Sequence, residues 1–444
     1  MTDTSVMRPV SSEEASGATT TGLSRREFLV RASALGSLAI APAAPAQRPI
    51  TPAASIASLP PYGNNTLPAG VRARLVPNVN GLTVNMLEAG TQGQPLVLLI
   101  HGFPNLGYSW RKVMPAFAAA GYYVVAPDCR GFGRTVGWDN AWNADPEPFL
   151  MLNMVRDQIA LVYALGYHNT QMVVGHDQGE HLAVYAAIVR PDMFPRLTTI
   201  SSAGGAPPSF PFGGVERKPA YTNVGLDAEY AKLNPPRRGY QDYWASKQAD
   251  EDMKRVPQGM SSFFRAFYYM KGGEFPANQN LTPLRPTQTA KEAAEENARM
   301  PEYYVMRRDR GMPATMVAHM PSKEYIANCE WLTQAECDVY GQEYAASGWT
   351  GALHEYRHRR NNAYPPTLAE QLTFSGRTID VPAQFIAGQQ DWGANRTPGG
   401  AMGAGKSGFT KFRGVQLVEG AGHWPHEEQP DVVSRHLVGF LQST

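Results

Sequence analysis

The residue with the most chemistry to offer is Asp177, at the centre of Gly175-His176-Asp177-Gln178-Gly179. The apolar run Met172-Val173-Val174 leads into it and a helix-like stretch, 182–189, leads away. A strand, a tight turn and a helix in that order hold the central side chain up at the edge of a sheet, where it is free to attack. A hydroxyl in that place would be acylated by an ester or amide. A carboxylate instead attacks a saturated carbon that carries a strained ring or a good leaving group, and becomes an ester itself. The competing reading is a simple turn, because Gly and Asp are among the commonest turn residues. Partners elsewhere in the chain must decide between the two.

Such a nucleophile needs an acid and a histidine after it in the chain. Asp391 closes Ala387-Gly388-Gln389-Gln390-Asp391, just past an expected strand at 381–387, and open sheets place their sites at these carboxyl ends. His423 stands in Gly420-Ala421-Gly422-His423-Trp424-Pro425, just past an expected strand at 415–418. A lone Asp or His in such a place is commonly a solvated loop residue, but three coincidences in the required order form a set. An oxyanion also needs donors, and His101-Gly102-Phe103-Pro104 follows a strand at 95–100. The N–H groups of Phe103 and Gln178 are the expected pair. Gly102 opens a backbone conformation closed to other residues, and Pro104 suits a cis bond in this turn. His101 and His176 read as scaffold around the hole and the turn rather than as second bases.

Short apolar runs alternating with longer helical patterns indicate a mostly parallel sheet. Runs 71–76 and 82–87 flank Asn80-Gly81 and predict an opening antiparallel hairpin. Runs 95–100, 122–126, 171–174, 197–201, 381–387 and 415–418 predict six buried strands. The long interval between the fourth and fifth of these is aromatic, helical and punctuated by Pro, with no buried strand expected. Within it, Thr333-Gln334-Ala335-Glu336 is a capping box, 291–300 is rich in helix formers, and 278–289 reads as a loop.

The chain has 444 residues, 43% of them hydrophobic, with a formal net charge of +1, so it can bury a large core and offers no basic surface for nucleic acid. No apolar stretch reaches the length of a membrane span, so no stable membrane anchoring is expected. Ser24-Arg25-Arg26-Glu27-Phe28-Leu29, a weakly apolar segment to Ile40 and Ala44-Pro45-Ala46 resemble a twin-arginine export signal with cleavage after Ala46. The expectation is a protein exported to the periplasm or beyond. The three cysteines are too few for a disulfide framework. Cys129 reads as a small buried apolar residue, and an oxidising compartment leaves pairing of Cys329 with Cys337 open. No Cys/His spacing suggests a metal. The expected division is a signal at 1–46, a linker at 47–67, a core at 68–202 and 378–444, and a helical cap at 203–377.

His101-Gly102-Phe103-Pro104, Tyr108-Ser109-Trp110-Arg111, Pro127-Asp128-Cys129-Arg130-Gly131-Phe132-Gly133, Gly175-His176-Asp177, Asp391 and Gly422-His423 together resemble the soluble-type epoxide hydrolases of the α/β-hydrolase fold. The resemblance runs from about residue 95 to the C-terminus. It implies a mostly parallel eight-stranded sheet with helices on both faces and an inserted helical cap. It also implies Asp177 as nucleophile, His423 with Asp391 as the water-activating pair, a small epoxide as substrate, and no cofactor. Haloalkane and haloacetate dehalogenases share the core motifs, so the cap must separate the activities. In the epoxide hydrolases two cap tyrosines hold the epoxide oxygen. Gly351-Ala352-Leu353-His354-Glu355-Tyr356-Arg357 resembles the segment around the second, giving Tyr356. Gly239-Tyr240-Gln241-Asp242-Tyr243-Trp244 resembles the surroundings of the first, giving Tyr240, with Tyr243 as the alternative. Tyr268, Tyr269, Tyr303 and Tyr304 read as packing or cleft lining.

Two departures from the family pattern stand at the turn. Gln178 replaces the Trp that haloalkane dehalogenases use toward a halide and that many epoxide hydrolases also carry. Glu180 replaces a small residue, and it has three possible effects: to suit the helix N-terminus, to raise the Asp177 pKa by like charge, or to turn outward with His181 and do nothing. The expected activity is epoxide opening through an alkyl-aspartate ester. The alternatives are a dehalogenase with the same nucleophile and, from another class, a non-catalytic ligand-binding member of the fold. Oligomeric state is not legible.

Overall fold

Eight of the expected strands form and pair into one sheet in the computed structural model, which describes residues 58–202, 207, 225–359, 365–396, 399–403 and 408–444. With two more outside that sheet, the described strands number ten: β1 (Arg72–Val79), β2 (Leu82–Ala89), β3 (Leu96–Ile100), β4 (Tyr123–Pro127), β5 (Met172–His176), β6 (Leu197–Ile200), β7 (Arg237–Gly239), β8 (Val305–Arg307), β9 (Ala383–Gly388) and β10 (Phe412–Val418). The main sheet runs β1-β2-β4-β3-β5-β6-β9-β10. β1 and β2 are the antiparallel hairpin turned by Asn80-Gly81, β2 meets β4 antiparallel, and every later pair is parallel. The inner strands β3, β4, β5 and β9 are buried at every position, as strands covered on both faces must be.

β7 and β8 form a separate two-stranded antiparallel ladder inside the long insertion. It corrects the expectation of a strand-free insertion. Arg-containing three-residue strands carry no apolar alternation, so nothing local announces them. The remaining regular elements of the described insertion are helices, and most of 279–289 is loop, as expected. Thr289 and Thr333 both close complete capping boxes, the first starting the helix Ala290–Asn297 that the 291–300 composition predicts. The helices Met260–Lys271 and Gln334–Ser347 pack on each other through Phe264, Tyr268, Tyr340 and Tyr344.

Buried ion pairs fasten this insertion to the sheet side of the molecule. Arg111, fully buried, reaches Glu336 at 2.6 Å and Glu427 at 2.7 Å, and Arg134 reaches Glu343 at 2.6 Å. A buried cation is tolerated when carboxylates answer it with good geometry, and both arginines meet that condition.

The expected linker does not extend through 58–67. Tyr62 is buried against the core and its hydroxyl donates to Asp128 at 2.7 Å. The twin-arginine segment and the cleavage point at Ala46 lie outside the described residues. No described helix is long and apolar enough to cross a membrane. Cys129, Cys329 and Cys337 are all buried and free, so the pair left open in the sequence is not joined.

Candidate active site

The pentapeptide at Asp177 forms the turn between β5 and the helix Gln178–Val189, and Asp177 itself sits at φ +50°, ψ −120°. A non-glycine residue in that region is strained, and it holds the carboxylate above the strand ends. The flanking glycines are required by contact rather than by their own angles. A Cβ on Gly175 would lie 2.3 Å from the Gly179 carbonyl oxygen and 2.6 Å from Glu180 Cα. A Cβ on Gly179 would lie 2.4 Å from the His101 carbonyl oxygen, and one on Gly102 would strike Asp177 Cβ at 2.5 Å. Helix, strand and the turn after β3 therefore touch backbone to backbone, which is what presses the Phe103 N–H against Asp177. That N–H donates to Asp177 Oδ1 at 3.0 Å, beside a cis Phe103-Pro104 bond. Gln178, the other expected donor, is the first residue of the helix and lines the cleft. Its N–H belongs to the first turn, where backbone donors have no partner within the helix.

The other carboxylate oxygen faces the histidine. His423 Nε2 lies 3.2 Å from Asp177 Oδ2, and Nδ1 lies 3.1 Å from both oxygens of Asp391. Asp391 follows β9, accepts the Gly393 N–H at 2.7 Å and so caps the short helix Trp392–Asn395. The three residues that the sequence singled out thus converge from the ends of β5, β9 and β10. His101 and His176 act as scaffold. His101 Nε2 accepts the Cys129 N–H at 3.0 Å, and His176 Nε2 meets the His423 carbonyl at 2.8 Å. Burial pushes His176 down to about 3, which leaves it neutral.

Two carboxyl groups three residues apart on this turn are shifted in opposite directions. Burial opposes ionisation of Asp177, but the hydrogen bond with His423 and the nearby Lys271 outweigh it and hold the carboxyl well below its usual range. Glu180 is fully buried behind it; among the described residues Ser202 donates to it at 2.9 Å, and His181 Nδ1 lies 3.2 Å away without a hydrogen bond. Burial pushes Glu180 up to about 8, and the charge on Asp177 adds to the shift. Of the three effects considered for Glu180, the outward turn does not occur; the residue stands buried in the first turn of the helix, and the charge on Asp177 raises its own pKa. His181 does not turn away either, since its Nε2 meets Arg359 at 2.9 Å at the cleft wall.

Above Asp177 lies a cleft of about 220 Å³ whose far wall belongs to the insertion. Tyr240 and Tyr356 both line it, their ring centres 6.3 Å apart. Tyr356 rests edge-on against Phe103 at 5.1 Å. Its helix, Thr350–Arg359, can come so close because Gly351 carries no side chain: a Cβ there would lie 2.5 Å from the Gly131 carbonyl oxygen. Tyr243 is turned away, its hydroxyl donating to Asp252 at 2.9 Å, so of the two candidates only Tyr240 faces the cleft. Tyr304 also lines it.

Sequence reasoning missed three residues here. Lys271 ends the helix Met260–Lys271 and lines the cleft; its carbonyl accepts the His423 N–H at 2.8 Å, and its ammonium lies against the Trp424 and Tyr303 rings. Arg396 donates to the Tyr240 hydroxyl at 3.2 Å. Glu428 gathers the N–H groups of Gly273, Gly422 and Trp424 at 2.7, 2.9 and 3.0 Å, tying the insertion to the histidine turn. Only Glu428 had a sequence signal, standing in the first turn after Pro425, where a carboxylate suits a helix start.

Comparison with known proteins agrees with this geometry. The family model for the α/β hydrolase fold matches residues 95–430. Epoxide hydrolase B of Mycobacterium tuberculosis is 31% identical over 372 residues, covering 79% of this chain and 92% of that protein. Epoxide hydrolase A of the same organism is 29% identical over 380 residues, covering 83% and 96%. Among solved structures, an epoxide hydrolase from an endophytic Streptomyces superposes with a TM-score of 0.65 at 29% identity, covering 85% of this chain and 96% of that one. Potato (Solanum tuberosum) epoxide hydrolase I does so with 0.62 at 27% identity, covering 84% and 100%. A chain matched over most of its length by these proteins, with an aspartate at the turn, an acid and a histidine in order behind it and two tyrosines across the cleft, belongs to the epoxide hydrolase family of the α/β-hydrolase fold.

Proposed function

We propose that the protein opens an epoxide to a vicinal diol through a covalent alkyl ester on Asp177, with the insertion serving as a cap over the cleft. In the first step Asp177 Oδ2 attacks a ring carbon from the side opposite the C–O bond that breaks. Tyr240 and Tyr356 hold the ring oxygen, and one phenol gives it a proton as the alkoxide develops. In the second step His423, oriented by Asp391, takes a proton from water as the hydroxide adds to the ester carbon. The negative charge gathers on Oδ1, where the N–H groups of Phe103 and Gln178 receive it. Collapse then expels the former Oδ2 as part of the diol, which takes its proton from His423; the proton left on the new carboxylic acid returns to the phenolate, and the carboxylate is restored.

The observation that carries this reading is the division of labour at one carboxylate. Oδ1 already sits on the Phe103 N–H at 3.0 Å, while Oδ2 faces the histidine and the tyrosine wall. The names of the relatives support the epoxide as substrate. The dehalogenase alternative is disfavoured because Gln178 offers no indole N–H to a halide. The twin-arginine-like segment supports export of the folded enzyme. A panel of aromatic and aliphatic epoxides and chloroacetate, scored for diol and for chloride, tests the activity. Diol without chloride is expected, and chloride without any diol would overturn it.

A further inference from the structure

The cleft holds two cations that no described acid pairs with, whereas several arginines elsewhere are paired closely, although the buried Arg265, outside the cleft lining, donates to the Leu332 carbonyl and to no described acid. Arg111 has Glu336 and Glu427, Arg130 has Asp157 at 2.7 Å, and Arg134 has Glu343. Arg396 differs. Among the described residues its hydrogen-bond partner is the Tyr240 hydroxyl, its guanidinium lies 5.9 Å from the centre of the Tyr304 ring, and no carboxylate oxygen is within salt-bridge distance. Lys271 likewise has aromatic neighbours in place of an acid, with Trp424 at 4.9 Å and Tyr303 at 5.0 Å. Both residues line the cleft. Asp177 and Asp391 act on them from farther away, but the oxygens of those carboxylates are already engaged by Phe103, Gly393 and His423. Taking an unmatched cation out of water is costly, so the missing counter-charge points to what the cleft holds in use.

We propose that the substrate is an epoxide bearing a carboxylate, held by the Arg396 guanidinium with Lys271 adding to the field. This deepens the epoxide reading above and rests on it. A guanidinium offers a planar fork of donors that matches a carboxylate, and one prong is already committed to Tyr240. The group that would read the acid therefore touches the phenol that holds the ring oxygen. That favours substrates in which carboxylate and ring are neighbours, the glycidate type, over long-chain epoxy acids. The Tyr240, Tyr303 and Tyr304 rings, packed at 5.1 and 5.5 Å around Tyr240, suit an aryl or alkyl group on the other ring carbon.

The test compares diol formation from phenylglycidate and from its neutral amide, with styrene oxide as a reference, in the wild type and in Arg396→Met. The wild type is expected to favour the acid about 10–100-fold in kcat/KM, mostly through KM, as a charge-assisted contact implies. Arg396→Met should collapse that ratio. Should the variant not fold, the wild type still decides: phenylpropanoate should inhibit styrene oxide turnover competitively and its amide should inhibit far less. An amide turned over as well as the acid would overturn the carboxylate inference while leaving epoxide opening intact. An acid preference that survives in Arg396→Met would overturn the assignment to Arg396. Absence of diol from all three epoxides would instead sink the epoxide reading itself.

Discussion

The two walls of the cleft are built by different means. On the sheet side, Asp177, Asp391 and His423 hang from strand ends whose backbones touch through glycines, and every oxygen of the two carboxylates has a donor or the histidine beside it. On the insertion side, Tyr240 and Tyr356 are held by ring packing against Phe103, Tyr303 and Tyr304, with Arg359 and Lys271 among them and Arg396 reaching over from the sheet side. Backbone contact gives little freedom, whereas aromatic packing tolerates change in shape and charge. The first wall therefore suits making and breaking the ester, and the second suits choosing and activating the epoxide. The ion pairs of Arg111 and Arg134 and the carboxylate of Glu428 keep the two in register.

If that division holds, substitutions on the two walls should fail in different ways. Asp177→Ala should abolish the first bond and lower steady-state diol formation by about 10⁴-fold or more, the scale expected when a nucleophile is removed. Turnover within tenfold of wild type would remove the sheet wall from the chemistry. The Tyr240→Phe and Tyr356→Phe changes should each slow ester formation about 10–100-fold in single-turnover experiments, and the pair together about 10³-fold, since each removes one donor to a developing alkoxide. Hydrolysis of an ester already formed should be little changed, and an equal loss in both steps would erase the comparison.

A smaller effect is expected at Glu180, where the sheet wall stores its like-charge cost. With its folded pKa raised to about 8 by burial, Glu180 stays protonated where the unfolded chain has already ionised. The unfolded state then binds fewer protons, so this residue makes stability fall as pH rises from about 4.5 toward 8. Glu180→Gln should remove that slope, gaining on the wild type by on the order of 3 kcal/mol between pH 5 and 8 at one pKa unit per 1.4 kcal/mol. Denaturant midpoints at the two pH values measure it. A variant that tracks the wild type at both would mean that Glu180 is ionised in the fold.

Much of the sheet wall was legible from sequence because its determinants are local. A glycine before and after Asp177, an apolar run ahead of it and glycine turns before His423 each act within a few residues. The same holds for the Asn80-Gly81 hairpin and the Thr333 capping box. The cleft-lining residues of the insertion were legible only where a segment resembled relatives, at Tyr240 and Tyr356. Lys271 and Arg396 reach the cleft through packing between segments distant in sequence, and β7 with β8 pairs across such a separation. Nor does a sequence show that Glu180 loses its charge, because that follows from burial.

The claim on which the rest depends is that water never attacks the epoxide directly. A single turnover with enzyme in excess, run in ¹⁸O-labelled water, tests it through the origin of one oxygen. An ester on Asp177 predicts an unlabelled diol in that first turnover and one labelled oxygen in the peptide that contains Asp177. A labelled diol with an unlabelled Asp177 would contradict the account.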